Sequence, residues 1–301
     1  MIRVGTCSWT EKTLLKSGEF YPTESKSAED RLRYYATFFD TVEIDSSYYA
    51  IPDTRNASLW AERTPADFVF HVKAFSALTG HAVEPKTLPA EIFRSVPAGE
   101  RRGKHVHIKA PELLKAIGRG FVDAIAPLKD AGKLGVVVYQ FPPWFHYRPQ
   151  HLDLIAGYTS LVAGLPVAVE FRHGSWLLPE RVGQVFDFLR RHRLACVVAD
   201  EPQYGSLATI PFVSEVTADV AYFRFHGRNR GNWLKRGVET SLRYDYLYST
   251  EELNSFVPYL LKADGKAKVT YAMFNNCHGA SAIKNARALK EMVQNKGRRE
   301  R

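Results

Sequence analysis

Eight short apolar runs rich in Val, Ile, Phe and Tyr punctuate this chain, and most are separated by patterns of helical period. They are IRVGTCSW (2–9), TVEIDSSYY (41–49), FVFHVKAF (68–75), LGVVVYQF (134–141), PVAVEFRH (166–173), ACVVAD (195–200), VAYFRFHG (220–227) and KVTYAMFNN (268–276). Helices are predicted over 27–39, 55–64, 111–130, 148–162, 179–192, 249–264 and 281–294; only the stretch between the sixth and seventh strands lacks a strong one. Strands joined by helices pair in parallel, and eight of them predict an α/β fold, a single (β/α)8 TIM-like barrel domain over 1–301. A doubly wound open sheet is the competitor, but no strand-linked GxGxxG or phosphate loop supports it. Residues 76–110 form a long insertion between strands 3 and 4, expected to lie over the barrel mouth as a lid, and a basic tail is expected at 296–301.

Residues i and i+2 of a strand share a face, and that rule gives four of the runs a phase. Val42 and Ile44 oppose Glu43 and Asp45; Phe70 and Val72 oppose His71 and Lys73. Val169 and Phe171 oppose Glu170 and Arg172; Phe223 and Phe225 oppose Arg224 and His226. Unpaired charges under the outer helices would cost several kcal/mol, so the polar set is expected inside the barrel. It falls toward the C-terminal strand ends, where barrel enzymes place their chemistry. Gln140, Asp200, Asn275 and Asn276 end further strands and are expected at the same mouth.

The residue types narrow the chemistry. Lys73, Arg172, Arg224 and Arg228 supply more positive charge than a simple sugar needs, and Arg suits phosphate or carboxylate. Glu43, Asp45, Glu170 and Asp200 are acid, base or hard-metal ligands by type, His71, His173 and His226 can join them, and His226 is the expected proton donor. No HExxH or carboxylate–histidine spacing singles out a metal set, so a divalent metal is compatible with the carboxylates but rests on no motif. Trp9, Tyr48, Tyr49, Trp144 and Trp176, near strand ends, are candidates to stack on a base or sugar ring. The competing reading is a charge network that plugs the barrel, with Glu43 and Glu170 paired to Arg172, Arg224 and Lys73.

Charge and cysteine content bound the partners. The formal net charge is +9, part of it in RRGK (101–104), RRHR (190–193) and KGRRER (296–301), which favours anionic partners such as nucleic acid or a phosphorylated small molecule. Cys7, Cys196 and Cys277 show no CxxC spacing, which argues against a zinc–cysteine site or a disulfide framework. Cys7 and Cys277 fall near the mouth and read as neutral thiols. The chain starts almost at once in an apolar strand, without a basic leader, and its longest apolar runs are too short to cross a bilayer. A cytoplasmic protein with no membrane partner is expected.

The motifs GTCSW (5–9), FYP (20–22), VEIDSSYY (42–49), WAERTPADFVFHVKA (60–74), QFPP (140–143), EFRHGSW (170–176), RFHGR (224–228), YDYLYSTEEL (244–253) and FNN (274–276) occur in order. Through them the chain resembles the YecE-like family, domain of unknown function 72, over nearly its whole length. The resemblance implies a TIM-like barrel and no established activity. By motif it implies shared site positions at Trp9, Glu43, Lys73, Gln140, Glu170, Arg172, His173, Asp200, Arg224, His226, Arg228, Asn275 and Asn276. The chain departs from the pattern in three places. Cys7-Ser8 stands where Ser-Gly is usual, Asp45 where Asn is usual, and Gly80 separates Thr79 from His81, which are normally adjacent.

Two functions follow as expectations. One is a hydrolase acting at the mouth on a phosphoester in nucleic acid or in a phosphorylated small molecule. Glu43, Glu170, Asp200 and His226 then do the chemistry, while Trp9, Tyr48, Lys73, Gln140, Arg172, His173, Arg224, Arg228, Asn275 and Asn276 hold the substrate. The other is a binder of an anionic ligand or nucleic acid whose carboxylates only brace the basic side chains. A sugar-phosphate isomerase-like enzyme is the further alternative, on analogy of fold.

Overall fold

Strand β1 (Ile2–Cys7) pairs on one side with β2 (Thr41–Ile44) and on the other with β8 (Val269–Phe274), so the sheet closes on itself. Between them run β3 (Val69–Lys73), β4 (Leu134–Gln140), β5 (Val167–Glu170), β6 (Ala195–Asp200) and β7 (Val220–Phe225). All pairs are parallel and follow chain order. This computed structural model describes residues 1–99, 101 and 104–299. Glu300 and Arg301 of the expected basic tail, and Arg102 and Gly103 of the basic run, lie outside the described residues.

The outer layer follows from local sequence signals. Ser27 and Ser249 close capping boxes on helices Ala28–Ala36 and Thr250–Asp264. Proline opens helices Pro111–Asp130, Pro149–Ser160 and Pro179–Arg191, where its missing N–H costs nothing. Helices Thr54–Glu62 and Ser281–Arg299 complete the layer, and among the described residues none lies between β6 and β7. The insertion between β3 and β4 carries 3-10 turns at Ser76–Thr79 and Pro85–Thr87 and a short helix at Ala90–Ser95. It is sewn down by an antiparallel bridge between Val83 and Val106, and Leu88, Val96 and Ile108 are buried with them. No described helix is long and apolar enough to cross a membrane.

The inward phase read for Glu43, Glu170 and Arg224 is the one the barrel adopts. Val42, Ile44, Phe70, Val72, Val169, Phe223 and Phe225 join the large core under the helices. A smaller apolar cluster of Cys7, Val136, Val138, Ala168, Ala195, Val197, Tyr222, Tyr271 and Met273 lies apart from it. His71 sits at mid-height between the rings of Tyr222 and Tyr271, with Thr41 Oγ1 3.0 Å from Nε2 and the Val136 N–H donating to Nδ1 at 3.1 Å. Burial, with Arg3 adding to it, pushes its pKa down to about 3, so this imidazole is a neutral structural group.

Candidate functional site

The charges expected at the strand ends form two layers. In the lower layer Arg224 is wholly buried and bonds Glu170 Oε2 at 2.5 Å through Nη1 and Glu43 Oε1 at 2.7 Å through Nη2. Tyr222 donates to the other Glu43 oxygen at 2.8 Å. The Glu170 carboxylate also pairs with Arg172 Nε and stands 3.1 Å from His226 Nε2, while Asn275 Nδ2 lies 2.9 Å from His226 Nδ1. An imidazole that donates from Nε2 to Glu170 and accepts at Nδ1 from Asn275 satisfies both contacts. Gln140 Oε1 accepts from both Arg172 and Arg224, at 3.1 and 3.2 Å.

The two carboxyls of this layer are driven in opposite directions. Burial alone would raise Glu170, but Arg172, Arg224 and then His226 outweigh it and hold it well below the usual carboxylate range. Glu43 is pushed up to about 7 by burial, with Arg224 opposing and the nearby Asp45 carboxylate reinforcing the rise. His226 is pulled down to about 3, first by burial and then by Arg172.

Cys7, Glu43 and Asp45 bring ligand atoms within 4.8 Å of one another, a set that could hold a metal ion. Arg224 Nη2 lies 3.6 Å from Cys7 Sγ, 2.7 Å from Glu43 Oε1 and 3.5 Å from Asp45 Oδ1. A guanidinium nitrogen therefore lies beside all three groups, and its charge opposes a cation bound among them. Burial, reinforced by Glu43, also keeps the Cys7 thiol far above its usual range, protonated and a poor metal ligand.

The upper layer opens to solvent. Arg172 Nη1 reaches Glu201 Oε2 at 3.3 Å, and the Ile210 N–H donates to Glu201 Oε1 at 2.7 Å. Burial pushes Glu201 up to about 7, against the pull of Arg172. Both residues line a cavity of about 710 Å³ with Gln140, Trp144, Trp233, Tyr244 and the cations Lys235, Arg236 and Arg243. Lys73 stands 3.7 Å from Asp45 and 4.8 Å from the centre of the Tyr48 ring, on the β2–β3 side of the mouth. Gly80, in a left-handed conformation (φ 75°), loops out so that Thr79 Oγ1 and His81 Nδ1 still meet at 2.8 Å. Thr79 and His81 are thus in contact across the intervening glycine, and His81 packs edge-on to both Tyr48 and Trp144.

Other predicted site residues lie elsewhere. The Asp200 side chain is on the opposite parity from Ala199 and Glu201. Its carboxylate takes three bonds from Arg228, at 2.7–3.1 Å, and one from Tyr248 at 2.7 Å. Asn276 joins that flank, donating to Tyr246 O and Asn285 Oδ1, both at 2.8 Å. Trp9 is packed edge-on against Trp60 and Phe70 in the outer core. His173 caps the Gly174–Trp176 turn and stacks on His146 at the rim. Sequence reasoning missed Glu201, Tyr222, Trp233, Arg243 and Tyr244; of these, Tyr244 opens the YDYLYSTEEL motif, which was the signal available for it.

The fold and site define a parallel (β/α)8 barrel with a charged, cation-rimmed C-terminal mouth. The chain belongs to the protein family of unknown function DUF72, whose model matches residues 3–301. It is 29% identical over 297 residues to the UPF0759 protein YunF of Bacillus subtilis (strain 168), across 97% of this chain and 95% of YunF. A crystallised DUF72 family protein of Thermotoga maritima MSB8 is 32% identical, with a TM-score of 0.77 over 98% of this chain and 99% of that one. Another, from Enterococcus faecalis V583, is 27% identical with a TM-score of 0.78, over 98% and 96%.

Proposed function

We propose that the mouth binds the phosphate of a phosphoester, in a nucleic acid or a phosphorylated small molecule, and hydrolyses it. The observation that carries this reading is the juxtaposition of Glu201, a carboxyl poised near 7, with the Arg172 guanidinium in the wall of one cavity. Lys235, Arg236 and Arg243 on the same wall suit a phosphate, and Trp144, Trp233 and Tyr244 offer faces to a planar ring. Water attacks phosphorus, the P–O ester bond breaks, and protonated Glu201 gives its proton to the leaving oxygen. The proton of the attacking water returns to solvent, from which Glu201 is reprotonated. Glu43, Glu170 and His226 act here as positioning residues: they hold Arg224 and Arg172 and do not line the cavity.

Binding without turnover is the second reading. It is favoured by the pairing of both fully buried carboxylates, Glu43 and Glu170, with arginines. Phosphate mono- and diesters (p-nitrophenyl phosphate, bis-p-nitrophenyl phosphate and short oligonucleotides) offered to wild type and Glu201→Gln separate the two. Hydrolysis lost about 100-fold or more in the variant, with phenyl phosphate still bound, supports the enzyme. Phenyl phosphate binding with no ester turned over leaves the binder, and failure of both sinks the site.

A further inference from the structure

A second cavity, of about 580 Å³, opens at the opposite end of the barrel from the mouth. The β6–β7 connection, residues 201–219, which carries no helix among the described residues, supplies Thr217, Ala218 and Asp219 to its lining. Val136, Val167 and Ala195, all buried, make its floor, with Pro166, Ala218 and Val220 around them. Its volume is in the range of small-molecule sites.

The charged groups at its edge are Arg190, Arg193 and Asp219. Arg190 is committed to Asp187 at 2.9 Å and Glu215 at 2.5 Å, and Asp219 to Lys268 at 2.7 Å. Thr217 Oγ1 is committed as well, donating to Leu194 O and accepting from the Cys196 N–H. Arg193 makes no ion pair among the described residues, and it carries a backbone penalty: it follows helix Pro179–Arg191 with φ 55°. After helices Lys12–Ser17 and Pro111–Asp130 the same left-handed conformation is taken by Gly18 and Gly132, where it is free of strain. A strained, solvent-exposed cation with no ion pair among the described residues therefore stands at the edge of an apolar floor.

We propose that this cavity is a second binding site, for a small monoanion with an apolar tail, of the class of medium-chain carboxylates. The tail replaces water over Val136, Val167, Ala195 and Val220, and the carboxylate pairs with Arg193. A cation would meet two arginines, and inorganic phosphate would find one free guanidinium and no tail contacts. A neutral chain would leave Arg193 without its partner.

The test is calorimetric titration of octanoate into the full-length protein. Wild type should bind it saturably, and Arg193→Gly should weaken binding at least five-fold while Tm holds or rises by about 2 °C. Ala218→Phe, which fills the cavity from its partly exposed edge, should weaken binding by at least as much. Arg243→Ala, at the mouth, should leave octanoate affinity unchanged. No saturable binding, or binding lost in Arg243→Ala and kept in Arg193→Gly, overturns the proposal. Binding lost in Ala218→Phe but unmoved by Arg193→Gly overturns the anionic class of ligand.

Discussion

Glu201 Oε2 lies 3.3 Å from Arg172 Nη1, and the Glu201 carboxyl is nonetheless held up near 7 because burial outweighs that partner. Its folded value thus stands above its ordinary one of 4.5. The stability such a group contributes is complete below the unfolded pKa and is lost as pH rises through the folded one. Wild type should therefore lose on the order of 3 kcal/mol relative to Glu201→Gln between about pH 4.5 and 8. Urea denaturation of both proteins at several pH values checks this, and curves that run parallel contradict it.

Glu170 and Glu43 look alike in sequence but should respond differently to the same change. Glu170→Gln strips charge from a carboxylate that holds Arg172, Arg224 and His226 together, and should cost about 3–5 kcal/mol at pH 7. Glu43→Gln replaces a group already partly protonated at that pH, and Tyr222 can turn its hydroxyl to suit, so about 1 kcal/mol or less is expected. Denaturation midpoints read the difference directly; equal losses would mean that the two carboxyls carry the same charge.

Ser8 has φ 110°, a conformation glycine takes without strain. Its hydroxyl recovers part of the cost by accepting from the Thr10 N–H at 3.1 Å. Ser8→Gly should stabilise the protein by about 1 kcal/mol, seen as a higher Tm. A drop would mean that the hydroxyl contact outweighs the strain.

Asp200 serves the flank that orients Arg228 and Tyr248 rather than the cavity. Asp200→Asn should lower Tm by a few degrees and leave phenyl phosphate affinity within about two-fold, whereas Arg243→Ala should weaken that affinity about five-fold or more. Calorimetric titration of both variants decides; the reverse order of effects would return Asp200 to the site.

The fold was legible because alternation and helical spacing recur eight times, and because an outward charge would have been left under a helix. The same logic phased Glu43, Glu170 and Arg224, whose strands carry large apolar residues on one face and charges on the other. It failed on β6, where ACVVAD is apolar on both faces and gives no phase, so Asp200 was chosen over its neighbour Glu201. It failed at Trp9 because the unusual φ of Ser8 breaks the alternation just before that residue. Trp233, Arg243 and Tyr244 come from the long excursion after β7, where no strand periodicity says which way a side chain points.

The most direct test of the mouth as an acid–base phosphate site is the titration of Glu201 itself. In carbon-13 NMR of glutamate-labelled protein, its carboxyl resonance is assigned by its loss in Glu201→Gln. The expected midpoint is near 7 in the free protein and moves higher when phenyl phosphate is added, because a bound anion disfavours the carboxylate. A midpoint near 4.5, or one that phenyl phosphate does not move, would contradict it.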